Sequence, residues 1–258
     1  MLYPMQLREN EFIRMLAIRR NRDGEVGKEK GDRIVSFVKD FEQYKGFILK
    51  YRYTHDVYNQ IATNRENKDG TIGSQRMKRV LYLDFDQKEY PDMKDARDFT
   101  KMIRDKIPKL FIHAYINSGH GFHYYISVKS TCDIKNITEI NKSLANILGA
   151  DLKTQISRPP CTFNHKIEDG TYDYDRKNIG KWSYVKVINN SYGVGRQFKQ
   201  YELEYISKLI RYYHQEQENI KILERTRWNY EALNEYPCYL CVRKMLNEGA
   251  SKGQRNFW

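Results

Sequence analysis

Apolar and polar residues alternate along the first 190 positions in short bursts, most of them too brief for a long helix. The run EFIRMLAIRR at 11–20 places Phe12, Met15 and Leu16 at helical spacing, with Ile18 beside them. It predicts a first helix closed by the polar loop NRDGEVGKEKGD. From Arg33 to Tyr53 strand and helix both fit. Residues 63–76, TNRENKDGTIGSQR, read as a connector rich in Asn, Gly and charge. RVLYLDFD at 79–86 is dominated by β-branched and aromatic residues and predicts a central strand.

A helix is expected from about Met93 to Ile107, stopped by Pro108. LFIHAYIN and FHYYISV then flank the turn SGHG at 118–121 and predict a hairpin. Ile137, Ile140, Leu144, Ile147 and Leu148 fall on one side of a helix over Asn136–Leu148, with Gly149 as its stop. Residues 150–180 read as irregular, WSYVKVIN at 182–189 as a last strand and SYGVG at 191–195 as a hinge. Everything past Gln200 is helix-like. This alternation predicts an α/β (α+β) domain over residues 1–195, with a mixed, largely antiparallel sheet, and a small helical region over 196–258.

The 258 residues are 40% hydrophobic and include 21 tyrosines, ample material for a core although 30% are charged. No stretch approaches the roughly 18 apolar residues of a membrane helix, and Arg8, Glu9 and Glu11 interrupt any signal-peptide core. The expectation is a soluble, intracellular protein with no membrane partner. Four cysteines in this length make no disulfide scaffold, and Cys132 and Cys161 lie far from any other, which suits a reducing compartment. The formal charge of +12, clustered at Arg14, Arg19, Arg20 and Arg22 and at Arg76, Lys78 and Arg79, suits a polyanionic partner. Ordinary solubilising charge would account for it as well.

Three constellations could carry chemistry. Asp84 and Asp86 end the predicted strand, so alternation points both the same way, about 6 to 7 Å apart, with Phe85 in the opposite layer. Two hard oxygen donors on a rigid edge suit Mg²⁺ or Mn²⁺; a solvated strand end is the plainer alternative. Ser118, Gly119, Gly121 and His123 surround the hairpin turn. Its two glycines would let backbone N–H groups approach a phosphate, with Ser118 and His123 as donors and His120 on the solvent side. A simple glycine turn would look the same. Arg158, held by Pro159 and Pro160, with Asn164 and Lys166 beyond, offers fixed cations of the kind phosphoryl transfer needs. Asp151 is either a third metal carboxylate or a polar turn residue.

In order and spacing, Leu83-Asp84-Phe85-Asp86, Ser118-Gly119-x-Gly121-x-His123, and Asp151 followed by Arg158-Pro159-Pro160-x-Thr162-x-Asn164-x-Lys166 resemble the archaeo-eukaryotic primase superfamily. The pattern is most similar to primase-polymerases of plasmids, phages and other mobile elements, and covers roughly residues 80 to 170, about a third of the chain. The resemblance implies a catalytic core with an RRM-like half and a template-dependent nucleotidyltransferase that joins NTPs or dNTPs on single-stranded DNA, with or without a primer. It implies that Asp84, Asp86 and Asp151 hold two divalent ions, that His123 contacts the nucleotide's phosphates, and that Arg158 and Lys166 line the nucleotide or template side. Cys161 stands where relatives more often show glycine, so a looser turn is expected there.

Cys238-x-x-Cys241 lacks the second ligand pair a zinc site needs, and a helical face with Val242, Met245 and Leu246 fits better. The tail also resembles the opening of the helical domain that follows such cores. No G-x-x-x-x-G-K-S/T motif is present, so any helicase is expected elsewhere in a longer protein or on another chain. Two rivals remain: a D-x-D glycosyltransferase, which leaves the 118–123 cradle and the charge unexplained, and a non-catalytic replication initiator, which leaves the carboxylate pair unexplained.

Overall fold

The computed structural model describes residue 7 and residues 10–67, 72–152, 156–190 and 201–233. The hinge expected at 191–195 and the Cys238 and Cys241 tail lie outside them. The chain divides into two units, residues 1–209 and 210–258. Of the second, the described part is the continuation of helix α4 (Leu203–Leu233).

The first unit is built on an antiparallel sheet. Its strands are β1 (Glu11–Ile18), β2 (Arg33–Val38), β3 (Asp56–Glu66), β4 (Ile72–Asp86), β5 (Ala114–Asn117), β6 (Gly121–Thr131), β7 (Ile156–Ser157) and β10 (Lys186–Asn190). They run in the order β10-β5-β6-β4-β3-β1-β2, with β7 added against β3. β8 (Phe163–Asn164) and β9 (Ser183–Tyr184) form a separate two-stranded ribbon. Among the described residues the named strands pair antiparallel, and one isolated bridge, Val128–Tyr201, is parallel. The α/β class with a largely antiparallel sheet is therefore as the alternation implied.

Residues 11–18 form a strand, not the expected helix. Ile13, Met15 and Ala17 enter one core while Leu16 and Ile18 are buried on the other face, and both edges are paired, to β2 and to β3. A strand buried on both faces loses its alternation, and its apolar run then imitates helical spacing. The connector expected at 63–76 is also mostly strand. Thr63 pairs with Met77, Asn64 with Arg76 and Glu66 with Ile72, so β3 and β4 continue as a hairpin. The backbone ladder is satisfied there whatever the side chains are. The ambiguous stretch 33–53 resolves into β2 and helix α1 (Phe41–Tyr51), separated by Asp40, whose side chain accepts from the Gln43 N–H at 2.8 Å.

Helices α2 (Ala96–Lys106) and α3 (Ile134–Leu148) start and stop as their signals imply. Asp95 and Asp98 form a capping box on α2, and Gly149 closes α3 in the left-handed conformation at φ +80°. Both lie on the side of β4 into which Leu81, Leu83 and Phe85 point, where Phe85 packs on Phe99 and Tyr124. Helix α1 covers β1 and β3 through Tyr44, Phe47 and Ile48. The opposite face of β4 is left for Tyr82, Asp84 and Asp86. Among the described residues no helix is long and apolar enough to cross a membrane.

Candidate active site

Pairing of β4 with β6 sets Asp84 opposite His123 and Asp86 opposite Gly121. The Asp84 carboxylate is one-third exposed, 3.4 Å from His123 Nε2 and 3.4 Å from the Tyr82 hydroxyl. Both contacts are long, so its oxygens are weakly engaged. Asp86 is exposed and accepts from the Lys88 N–H at 3.0 Å, capping a short 3₁₀ turn. Asp151 follows the Gly149 cap, and its N–H donates to the Asp84 carbonyl at 2.8 Å. That bond ties the third acid's backbone to the strand bearing the other two.

His123 is 5% exposed, and its Nδ1 finds no hydrogen-bond partner among the described residues. Burial lowers its pKa below the ordinary histidine value; Asp84 opposes the shift and Arg158 adds to it. Burial thus disfavours the charged imidazole, and one buried ring nitrogen is left without a partner among the described residues.

Arg158 reaches the same cavity from the end of β7. Its Nη1 donates to Asp56 Oδ1 at 2.6 Å and its Nη2 to the Tyr58 hydroxyl at 2.8 Å, with the guanidinium 4.6 Å above the Tyr58 ring. Asp56 is wholly buried at the start of β3 and also meets His165 Nδ1 at 3.3 Å and the Tyr174 hydroxyl at 2.9 Å. Burial alone would raise this carboxyl, but the Arg158 charge and the His165 hydrogen bond outweigh it and hold Asp56 well below the usual carboxylate range. Burial would likewise lower Arg158, and Asp56 and Tyr58 reverse that.

Neither Asp56 nor Tyr58 was legible as a functional residue. The stretch YTHDVYNQ carries no motif, and Asp56 meets Arg158 across 102 positions.

The SGHG turn keeps two of its N–H groups for itself. The Ser118 N–H donates to the Gly121 carbonyl at 2.9 Å and the Gly119 N–H to Asn117 Oδ1 at 2.8 Å, so both are engaged within the turn. Gly119 needs its φ of +101°, and a Cβ there would lie 2.7 Å from Ser183. A Cβ on Gly121 would lie 2.0 Å from the Phe85 carbonyl oxygen, so this glycine lets β6 approach β4. His120 is half-buried rather than on the solvent side, its Nε2 donating to the Lys166 carbonyl at 2.7 Å.

A cavity of about 300 Å³ gathers these groups. Asp84, Asp86, Asp151, Ser118, Gly121, His123 and Arg158 all line it, as do Tyr58, Tyr82, His120 and Glu89. Gly119, Asn164 and Lys166 do not. The Asn164 amide donates to the Ser118 carbonyl at 3.3 Å and its Oδ1 accepts from the Lys166 N–H, so it braces the turn from behind. Cys161 takes the left-handed conformation at φ +65°, so the tight turn is kept without glycine.

Among the described residues no three His, Cys, Asp or Glu side chains converge closely enough to hold a metal. The three acids share a wall without forming a closed ligand set. Asp84 and Asp86 suit an ion that takes two carboxylates and completes its shell with water and substrate phosphates, as Mg²⁺ and Mn²⁺ do.

No protein-family model and no curated protein matches the sequence. Solved structures to which the chain is similar include the AEP domain of the primase-polymerase of cyanophage S-2L, at 12% identity and a TM-score of 0.49, covering 77% of this chain and 89% of that one. The primase RepB′ is similar at 10% identity and a TM-score of 0.45, covering 95% of this chain and 79% of its own. The catalytic domain of RepB′ in complex with initiator DNA is similar at 12% identity and a TM-score of 0.44, covering 82% and 89%.

Proposed function

We propose that the chain is a template-dependent nucleotidyltransferase of the primase-polymerase kind, which joins NTPs or dNTPs on single-stranded DNA in the replication of a mobile element. One observation carries the reading. Residues scattered from Asp84 to Arg158, selected by their order and spacing in sequence, line one cavity.

In this reading a 3′-hydroxyl attacks the α-phosphorus of a bound triphosphate and pyrophosphate leaves. Asp84 and Asp86 would hold a divalent ion, Mg²⁺ or Mn²⁺, with Asp151 as a third acid on the same cavity; such ions would neutralise the triphosphate and lower the pKa of the attacking hydroxyl. The chain's own groups position and exclude. Arg158, kept charged by Asp56, adds a cation to the cavity that the acids line, and Tyr58 holds its guanidinium through the hydroxyl. His123 offers one ring N–H to a phosphate oxygen, with Ser118 beside it. Buried Tyr82 lines the same cavity with its hydroxyl 3.4 Å from Asp84.

Incubation of the chain with single-stranded template, labelled NTPs or dNTPs and Mg²⁺ or Mn²⁺, with and without primer, tests this. Incorporation lost in Asp84→Ala and in Asp86→Ala supports the proposal. Because His120 lines the cavity, the control is Lys142→Ala on the exposed side of α3. Binding of template without incorporation under any metal returns the chain to the non-catalytic initiator class, and sugar transfer from a nucleotide sugar to the glycosyltransferases.

A further inference from the structure

Beside the turn that lines the cavity, the surface carries an arginine and aromatic cluster with no part in the mechanism above. Arg52 ends α1, where its Nη2 donates to the Tyr53 hydroxyl at 2.9 Å and its guanidinium lies 4.6 Å from the Tyr53 ring centre. Arg176 reaches the same ring at 5.3 Å from a different segment. Tyr53 packs on Phe163 at 5.4 Å, and Phe163 packs on Tyr184 at 5.4 Å. Tyr184 is 46% exposed, a large accessible ring at the outer end of the row.

Two features give this cluster a ligand chemistry. Neither guanidinium forms an ion pair with an acid among the described residues, and Arg52 Nε has no hydrogen-bond partner. The acids on the turn bearing Arg176 are engaged elsewhere: Asp175 caps the Lys177 N–H, and Asp173 accepts from Asn178 and from the Asp175 N–H. Two unneutralised cations interleaved with aromatic rings, on a chain of net charge +12, match a strand with phosphates outside and flat bases between.

Its place relative to the cavity is fixed by the β8–β9 ribbon. Phe163 and Tyr184 face each other across that ribbon, and their neighbours Asn164 and Ser183 press against Gly119. Asn164 holds the Ser118 carbonyl at 3.3 Å.

We propose that Arg52, Tyr53, Arg176 and Tyr184 form a platform for single-stranded nucleic acid. One base stacks on the exposed Tyr184 ring, and the two guanidiniums take the flanking phosphates. The platform feeds template past the Ser118–Gly121 turn. The choice of template as its occupant rests on the nucleotidyltransferase reading.

The test is fluorescence anisotropy of a labelled oligo(dT) with the whole chain at several salt concentrations. Tyr184→Ala should weaken binding about tenfold, as loss of one stacked base does, while Tyr184→Phe binds like the parent. Arg52→Gln with Arg176→Gln should lower the salt slope by about one or more. Asp84→Ala, which removes catalysis, should leave this binding intact. Unchanged circular dichroism in the variants excludes misfolding, which the exposure of Tyr184 already disfavours.

If binding depends on these residues and no nucleotide is ever incorporated, the platform stands and the nucleotidyltransferase reading falls. Incorporation by the parent, with Tyr184→Ala and the arginine pair variant binding as the parent does, overturns the platform alone. Tighter binding to duplex than to oligo(dT) also overturns it, since stacking needs unpaired bases.

Discussion

Removing the Asp56 carboxylate should unlock the cation at the cavity wall. In Asp56→Ala, Arg158 keeps its charge in a buried setting but loses the 2.6 Å partner that fixes its place, and Tyr174 and His165 lose an acceptor in the same step. Breaking a buried, hydrogen-bonded ion pair from one side costs about 3 to 5 kcal/mol. That is a large share of the roughly 5 to 15 kcal/mol of a folded domain. At about 2 to 4 °C per kcal/mol for a chain of this size, the melting temperature should fall by some 6 to 20 °C. Asp56→Asn keeps the shape and one acceptor oxygen but leaves the charge uncompensated, so it should fall between parent and alanine variant. The decisive variant is Asp56→Ala with Arg158→Met, which removes both charges. A buried pair replaced as a pair is close to neutral, so the double variant should regain most of the lost stability, with a coupling above about 2 kcal/mol. Thermal and urea unfolding of the parent, Asp56→Ala, Arg158→Met and the double variant measure it. Additive losses would refute the claim that Asp56 exists to hold Arg158. Nucleotide affinity, if the functional reading is right, should fall in Asp56→Ala and stay low in the double variant.

Two further substitutions probe the scaffold. Gly121→Ala sets a Cβ 2.0 Å from the Phe85 carbonyl and should destabilise by at least about 1 to 3 kcal/mol in a thermal melt, whereas Gly180→Ala, with nothing within 4 Å, should be nearly silent. Lys78 is 5% exposed, and burial lowers its amine to about 8. The unfolded amine titrates near 10.4, so the unfolded chain binds the extra proton and stability declines as pH falls from about 10 toward 8. Lys78→Met should therefore raise the melting temperature at pH 7, with a gain that shrinks above pH 9; a gain independent of pH would contradict the assignment to burial of charge.

What the sequence made legible follows from how local each signal is. The strand ending in Asp84 and Asp86, the hairpin at 118–121 and helices α2 and α3 announce themselves by period, cap and stop within a few positions. The acids, His123 and Arg158 were legible because their order along the chain is itself a pattern. Asp56 and Tyr58 were not, because β3 meets Arg158 only through a two-residue pairing with β7, and no local rule foresees that. Asn164 looked like a ligand group because an amide has the same donors whether it faces a phosphate or the back of a turn. The glycines at 119 and 121 were read for what their N–H groups could bind, whereas their missing side chains are what the packing uses.

The eight-stranded sheet is joined at its middle by only part of one hairpin. β3 and β4 pair at Thr63–Glu66 and diverge below, where β3 takes β7 as its neighbour and the freed edge of β4 is met by the Asn141 side chain at Tyr82 and by the Asp151 N–H at Asp84. The carboxylates thus stand on the β4 side of this gap and the guanidinium on the β3–β7 side, and the two sides are tied again beside the cavity where His120 meets the Lys166 carbonyl and Asn164 the Ser118 carbonyl. The spacing of the opposing charges therefore depends on a turn that carries neither of them. A substitution at Asn164, which lies outside the cavity lining, would loosen that tie and let the acids and the guanidinium drift apart without altering any of them.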